Sequence, residues 1–120
     1  MSAVLQTNGA IVADPFPYEG PEDFRAPIIA ALSRVIDPEV AMTIVDVGLI
    51  YGVVVRDKEL HVRLTMTSAA CPVADVIIDD VWHELTRVLP TWLSLETELV
   101  WEPAWTPDRM SDRARRIMGW

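Results

Sequence analysis

The chain has 120 residues, 51% of them apolar, which suffices for one domain around one core. Ten basic residues against eighteen carboxylates give a formal net charge of -8, and such a field repels phosphate backbones and anionic lipid, which argues against nucleic-acid and membrane partners. No apolar run approaches a transmembrane length, the start lacks a secretory pattern, and one cysteine leaves no internal disulfide to form, so the cytoplasm is the expected compartment.

Residues 1–22 hold Gly9, Pro15, Pro17, Gly20 and Pro21 without sustained periodicity. They predict a flexible arm, with the folded domain over 23–120. Ile28, Leu32, Val35 and Ile36 then recur at helical spacing, and Pro27 fits a first turn, so a helix is predicted from about Arg25 to Ile36. A residue before proline disfavours helical geometry, so Asp37-Pro38-Glu39 ends the helix as a turn carrying two carboxylates. Asp46, before Val47-Gly48, is expected to hydrogen-bond backbone in a tight bend.

From Ile50 to Arg56 the residues are mostly β-branched. Beyond the short polar link Asp57-Lys58-Glu59, apolar Leu60, Val62, Leu64 and Met66 alternate with His61, Arg63, Thr65 and Thr67, which predicts a hairpin. Cys71 follows as the expected N-cap of a helix with Pro72 at its first position. Val73, Ile77, Val81, Leu85 and Val88 form that helix's apolar stripe, and Pro90 stops it. Leu93, Leu95, Thr97, Leu99 and Trp101 predict the alternating face of a third strand. A proline-broken, tryptophan-rich segment leads to a short helix ending at Gly119, with Thr106 and Ser111 as candidate caps. The order is helix, hairpin, helix, strand, short helix.

The candidate chemistry centres on Cys71. A thiol at a helix N-terminus faces unpaired N–H groups and the positive end of the dipole, which favours the thiolate, and the hydroxyls of Thr67 and Ser68 lie at the same strand-to-helix corner. A lone cysteine is too few ligands for a resident iron-sulfur cluster or a closed zinc site, so any metal role must borrow ligands. Asp37 and Glu39 add carboxylates that a turn can aim together. No glycine-rich phosphate loop is present, and His61 and His83 are not positioned by sequence as bases for the thiol. Arg109, Arg113, Arg115 and Arg116 crowd the C-terminal end; they read either as a solvated face or as a dock for an acidic partner. Trp101 and Trp105 read as core or lid packing, or as a grip on a partner.

Four ordered blocks carry a family resemblance: Ile36-Asp37-Pro38-Glu39; Ile44-Val45-Asp46-Val47-Gly48-Leu49-Ile50-Tyr51; Thr65-Met66-Thr67 through Cys71-Pro72; and Trp101-Glu102-Pro103-Ala104-Trp105-Thr106-Pro107 through Met110-Ser111. Through them the chain resembles the small metal-sulfur cluster biosynthesis family of iron-sulfur assembly factors. The resemblance implies a compact α+β domain, a small mixed three-stranded sheet packed with helices. It also implies a functional corner of Asp37, Glu39, Thr67, Ser68 and Cys71, with Cys71 as the metal ligand. The expected function is a non-enzymatic assembly, carrier or targeting factor that holds an iron-sulfur cluster or iron transiently for client apo-proteins or assembly-machinery proteins. A homodimer pairing two copies of Cys71 would complete the ligand shell. Partner contacts are expected at Trp101, Trp105, Arg113 and Arg116. The alternative is a metal-free adaptor or chaperone for a metal-dependent monooxygenase; a cysteine-dependent transferase or hydrolase comes third.

Overall fold

A computed structural model of the chain describes residues 3–5, 11–67 and 73–120. In chain order its elements are the strands β1 (Ala3–Leu5), β2 (Ile11–Ala13) and β3 (Tyr18–Glu19), helix α1 (Glu22–Leu32), strands β4 (Ile36–Asp37) and β5 (Met42–Thr43), and the one-turn helix α2 (Ile44–Val47). Strands β6 (Ile50–Arg56) and β7 (Glu59–Leu64), helix α3 (Ala74–Val88), strand β8 (Ser94–Leu99), a 3-10 turn (Pro107–Arg109) and helix α4 (Asp112–Met118) complete it.

The hairpin read from alternation is the centre of the fold. Leu60, Val62 and Leu64 of β7 are fully buried while His61 and Arg63 on the opposite face are exposed. On β6 a bulge between Ile50 and Gly52 shifts the register, so that Ile50, Val53 and Val55 all reach the core although they do not share one parity. Asp57, at φ 57°, supplies in the turn the left-handed conformation that a glycine would otherwise provide. Strand β8 runs parallel to β7, pairing Leu60 with Leu95 and Leu64 with Leu99.

The sheet is mixed, as expected, but has four strands in the order β3-β6-β7-β8. The added strand is Tyr18–Glu19, parallel to β6, from the segment expected to be an arm. Phe16 explains why it packs: its ring is buried in the core, and Asp14 forms an ion pair with Arg25 of α1. Burying an aromatic side chain contributes about 1.5–3 kcal/mol, which offsets the ordering of a few residues that Pro15 and Pro17 already bias toward extended geometry.

Helices α1 and α3 lie together on the apolar face of the sheet, contributing Ile28, Ala31 and Leu32 from α1 and Ile77, Val81 and Leu85 from α3, all fully buried. Helix α1 starts at Glu22 and ends at Leu32, so Pro27 sits inside it rather than in its first turn. The bond it forgoes is to the carbonyl of Asp23, an exposed residue where water can serve. Val88, expected on the α3 stripe, is exposed, and Leu89 just past the helix takes its place in the core. At the rim Glu84 accepts from Arg34 at 2.8 Å and from Arg87 at 3.1 Å, and the hydrogen bond from Arg34 lowers the Glu84 carboxyl below its ordinary pKa. No helix among the described residues is long and apolar enough to cross a membrane.

Candidate functional site

The acidic turn forms, but it joins β4 to β5 and does not end α1, which stops at Leu32. Asp37 closes β4 with its side chain buried at 1% exposure, and its Oδ1 accepts from the Glu39 backbone N–H at 2.9 Å, an Asx turn that fixes the two acids relative to each other. The Asp37 carbonyl accepts from Ala41 N–H at 2.8 Å, and Ala41 takes φ 59° to bring the chain back into β5, where Asp37 pairs with Met42. Glu39 lies exposed at the tip.

At the end of β5, Thr43 caps α2: its Oγ1 accepts from Asp46 N–H at 3.0 Å and donates to Asp46 Oδ2 at 3.3 Å. The pair has the spacing of a capping box, but the Asp46 carboxylate takes the Thr43 hydroxyl and not its backbone N–H. Asp46 is therefore more than a bend residue. Its Oδ1 accepts from Ser111 Oγ at 2.8 Å, and Ser111 in turn accepts from Ala114 N–H at 3.1 Å to cap α4. One carboxylate thus ties the start of α2 to the start of α4. Thr106, the other expected cap, makes no side-chain capping bond.

The C-terminal segment is stapled across α2 and β6 at three further points. Trp105 Nε1–H donates to the Val47 carbonyl at 2.8 Å, Tyr51 Oη–H donates to the Pro103 carbonyl at 2.6 Å, and the Arg109 guanidinium lies 4.1 Å from the centre of the Tyr51 ring. Gly48 makes the close approach feasible. It adopts φ 84°, and a Cβ there would lie 2.1 Å from the Arg109 carbonyl oxygen. Trp105 packs against the core, whereas Trp101, expected on the apolar face of β8, is 43% exposed. The Thr43-to-Asp46 spacing is the sequence signal for the α2 cap.

The segment after β7 departs from the predicted alternation, since Leu64, Thr65 and Met66 are all buried and regular strand ends at Leu64. Thr65 N–H bonds the Leu49 carbonyl at 2.8 Å, while its Oγ1 is buried with no hydrogen-bond partner among the described residues. Thr67 is half-buried and is not hydrogen-bonded to Asp37. Ser68 and Cys71 lie outside the described residues. The described part of α3 begins at Ala74 with Val73 as N-cap; the expected cap Cys71 and first helical residue Pro72 lie outside the described residues. Among the described residues no group of three His, Cys, Asp or Glu side chains is arranged to hold a metal ion.

Between the acidic hairpin and α4 runs a groove of about 320 Å³, walled by Ile36, Val40 and Met42 on one side and by Arg113, Ile117 and Met118 on the other, with Asp46 at its floor. Arg113 and Arg116 are exposed on α4.

A four-stranded mixed sheet under two helices, with an acidic turn and a stapled C-terminal segment, defines a small α+β domain of known structural type. The chain superimposes on the crystal structure of a domain of unknown function, DUF59, from Bacillus anthracis with a TM-score of 0.76 and 37% identity, covering 82% of this chain and 93% of that one. Residues 25–93 match the model of the iron-sulfur cluster assembly protein family, and the chain belongs to that family. Among curated relatives, it is 39% identical over 82% of its length to the Fe-S protein maturation auxiliary factor YitW of Bacillus subtilis, of which 96% is covered. It is 42% identical over 71% of its length to the Fe-S protein maturation auxiliary factor SufT of Staphylococcus aureus, of which 97% is covered.

Proposed function

We propose that the chain is an auxiliary factor in iron-sulfur protein maturation that passes a cluster, or iron, to client apo-proteins through Cys71. Support for the maturation role comes from three relatives that carry the name of Fe-S protein maturation auxiliary factors. The observation that carries the transfer reading is the single cysteine. One thiolate is too weak a protein ligand set to keep a cluster and leaves its remaining sites open to the cysteines of a recipient. The cluster is therefore cargo. Asp37 and Glu39 contribute negative charge beside the cargo site, and the hydroxyls of Thr67 and Ser68 stabilise the thiolate by hydrogen bonding. Thr65, whose buried hydroxyl lacks a partner among the described residues, supplies another donor at the end of β7. A second copy of Cys71 or a small thiol completes the shell while the cargo is held.

Anaerobic reconstitution with ferrous iron and sulfide, in the presence of glutathione, tests this on wild type and Cys71→Ala. Wild type is expected to develop cluster absorbance that Cys71→Ala lacks. Equal absorbance in both proteins removes the ligand role.

A further inference from the structure

The groove beside the acidic hairpin joins two features of the chain: apolar side chains left at the surface and a local reversal of charge. Ile36 is 45% exposed and Ile117 is 64% exposed at its rims, with Val40, Met42 and Met118 between them. Its volume of about 320 Å³ falls at the lower end of the range for ligand pockets, enough for a large apolar side chain and part of a neighbour. The protein carries a net charge of -8, yet α4 presents Arg113, Arg115 and Arg116 within seven residues. Among the described residues none of these three guanidinium groups forms an ion pair, although Arg25, Arg34, Arg63 and Arg87 all do.

The groove is also polarised across its width. The hairpin wall is apolar, with Ile36, Val40 and Met42, and the α4 wall adds the charge of Arg113. Asp46 reaches the floor, but both of its carboxylate oxygens are engaged by Ser111 and Thr43.

We infer that this groove docks an acidic, apolar segment of a partner protein, with an aliphatic or aromatic side chain between Ile36 and Ile117 and a carboxylate on Arg113. Among the described residues the hairpin wall offers no free cation, so the carboxylate goes to the α4 side. The inference deepens the maturation reading, in which the partner is a client or an assembly protein. Its test uses neither iron nor Cys71, so failure here leaves the thiol proposal standing, and failure of reconstitution leaves this one standing.

Selection of a random short-peptide library displayed on phage against the full chain provides the test. The enriched peptides are expected to share an apolar residue flanked by Asp or Glu. As synthetic peptides they should bind Arg113→Glu and Ile117→Ser about tenfold or more weakly than wild type, and bind an Arg87→Glu control unchanged. Both substituted side chains are exposed, so circular dichroism should match wild type. The proposal is overturned by absence of enrichment, by a consensus without acids, or by equal binding to the groove variants. A sedimentation coefficient that drops in Ile117→Ser while peptide binding is unchanged would assign the groove to a second copy instead and also overturn it.

Discussion

Asp46 and Ser111, 65 residues apart in sequence, hold each other through two hydrogen bonds of 2.8 Å: the Ser111 hydroxyl donates to the Asp46 carboxylate, and the Ser111 amide donates to the Asp46 carbonyl. The same two residues belong to the N-terminal caps of α2 and α4. The pair fixes the α4 wall of the groove relative to the acidic hairpin, so its loss should be felt at both helices. Asp46→Ala is expected to lower unfolding free energy by about 1–2 kcal/mol, since it strips the part-buried Ser111 hydroxyl of its acceptor and removes a capping partner. Urea denaturation measures this; Ser111→Ala should cost about the same, and the double variant less than the sum.

Gly48→Ala tests the staple more severely. The substitution forces a side chain into left-handed backbone and against the Arg109 carbonyl, so the C-terminal segment must lift or the turn must distort. A destabilisation of about 2–4 kcal/mol is expected, together with faster proteolytic cleavage after the exposed Arg109, Arg113 and Arg116. Trypsin digestion followed by mass spectrometry reads the second effect.

Trp105→Phe keeps most of the ring packing and removes only the donor to the Val47 carbonyl. The expected loss is about 0.5–1.5 kcal/mol, without a change in the peptide binding proposed for the groove. Thermal unfolding and the peptide assay together separate the two effects.

The rim of α1 and α3 supplies a pH signature. Glu84 is lowered from its ordinary value by Arg34, so its contribution is present above the unfolded-state carboxyl pKa and is lost as pH falls through the lower folded-state value. The stability difference between wild type and Glu84→Gln should be constant near neutrality and shrink as acid is added below the usual glutamate range. A difference that stays flat down to the acid transition contradicts the assignment.

Most of the scaffold was legible because its signals are local and periodic. Leu60, Val62 and Leu64 announce β7 by alternation, Ile77, Val81 and Leu85 announce α3 by helical spacing, and Asp37-Pro38 announces the acidic turn by the steric rule on residues before proline. What escaped depends on contacts between distant parts of the chain. Phe16 and β3 read as an arm because prolines and glycines surround them, and only the receiving edge of β6 gives them a reason to order. The bulge after Ile50 breaks the parity that a pattern count requires. The pair of Asp46 and Ser111, and the approach of Arg109 to Gly48, have no expression in sequence spacing at all.

Transfer to a client tests the central claim most directly. A cluster-free [4Fe-4S] dehydratase, mixed anaerobically with a cluster donor and this protein, should regain activity faster than with the donor alone. Cys71→Ala should abolish that acceleration, while Arg87→Glu retains it. Acceleration by Cys71→Ala equal to that of wild type would contradict the account and leave a metal-free adaptor as the function.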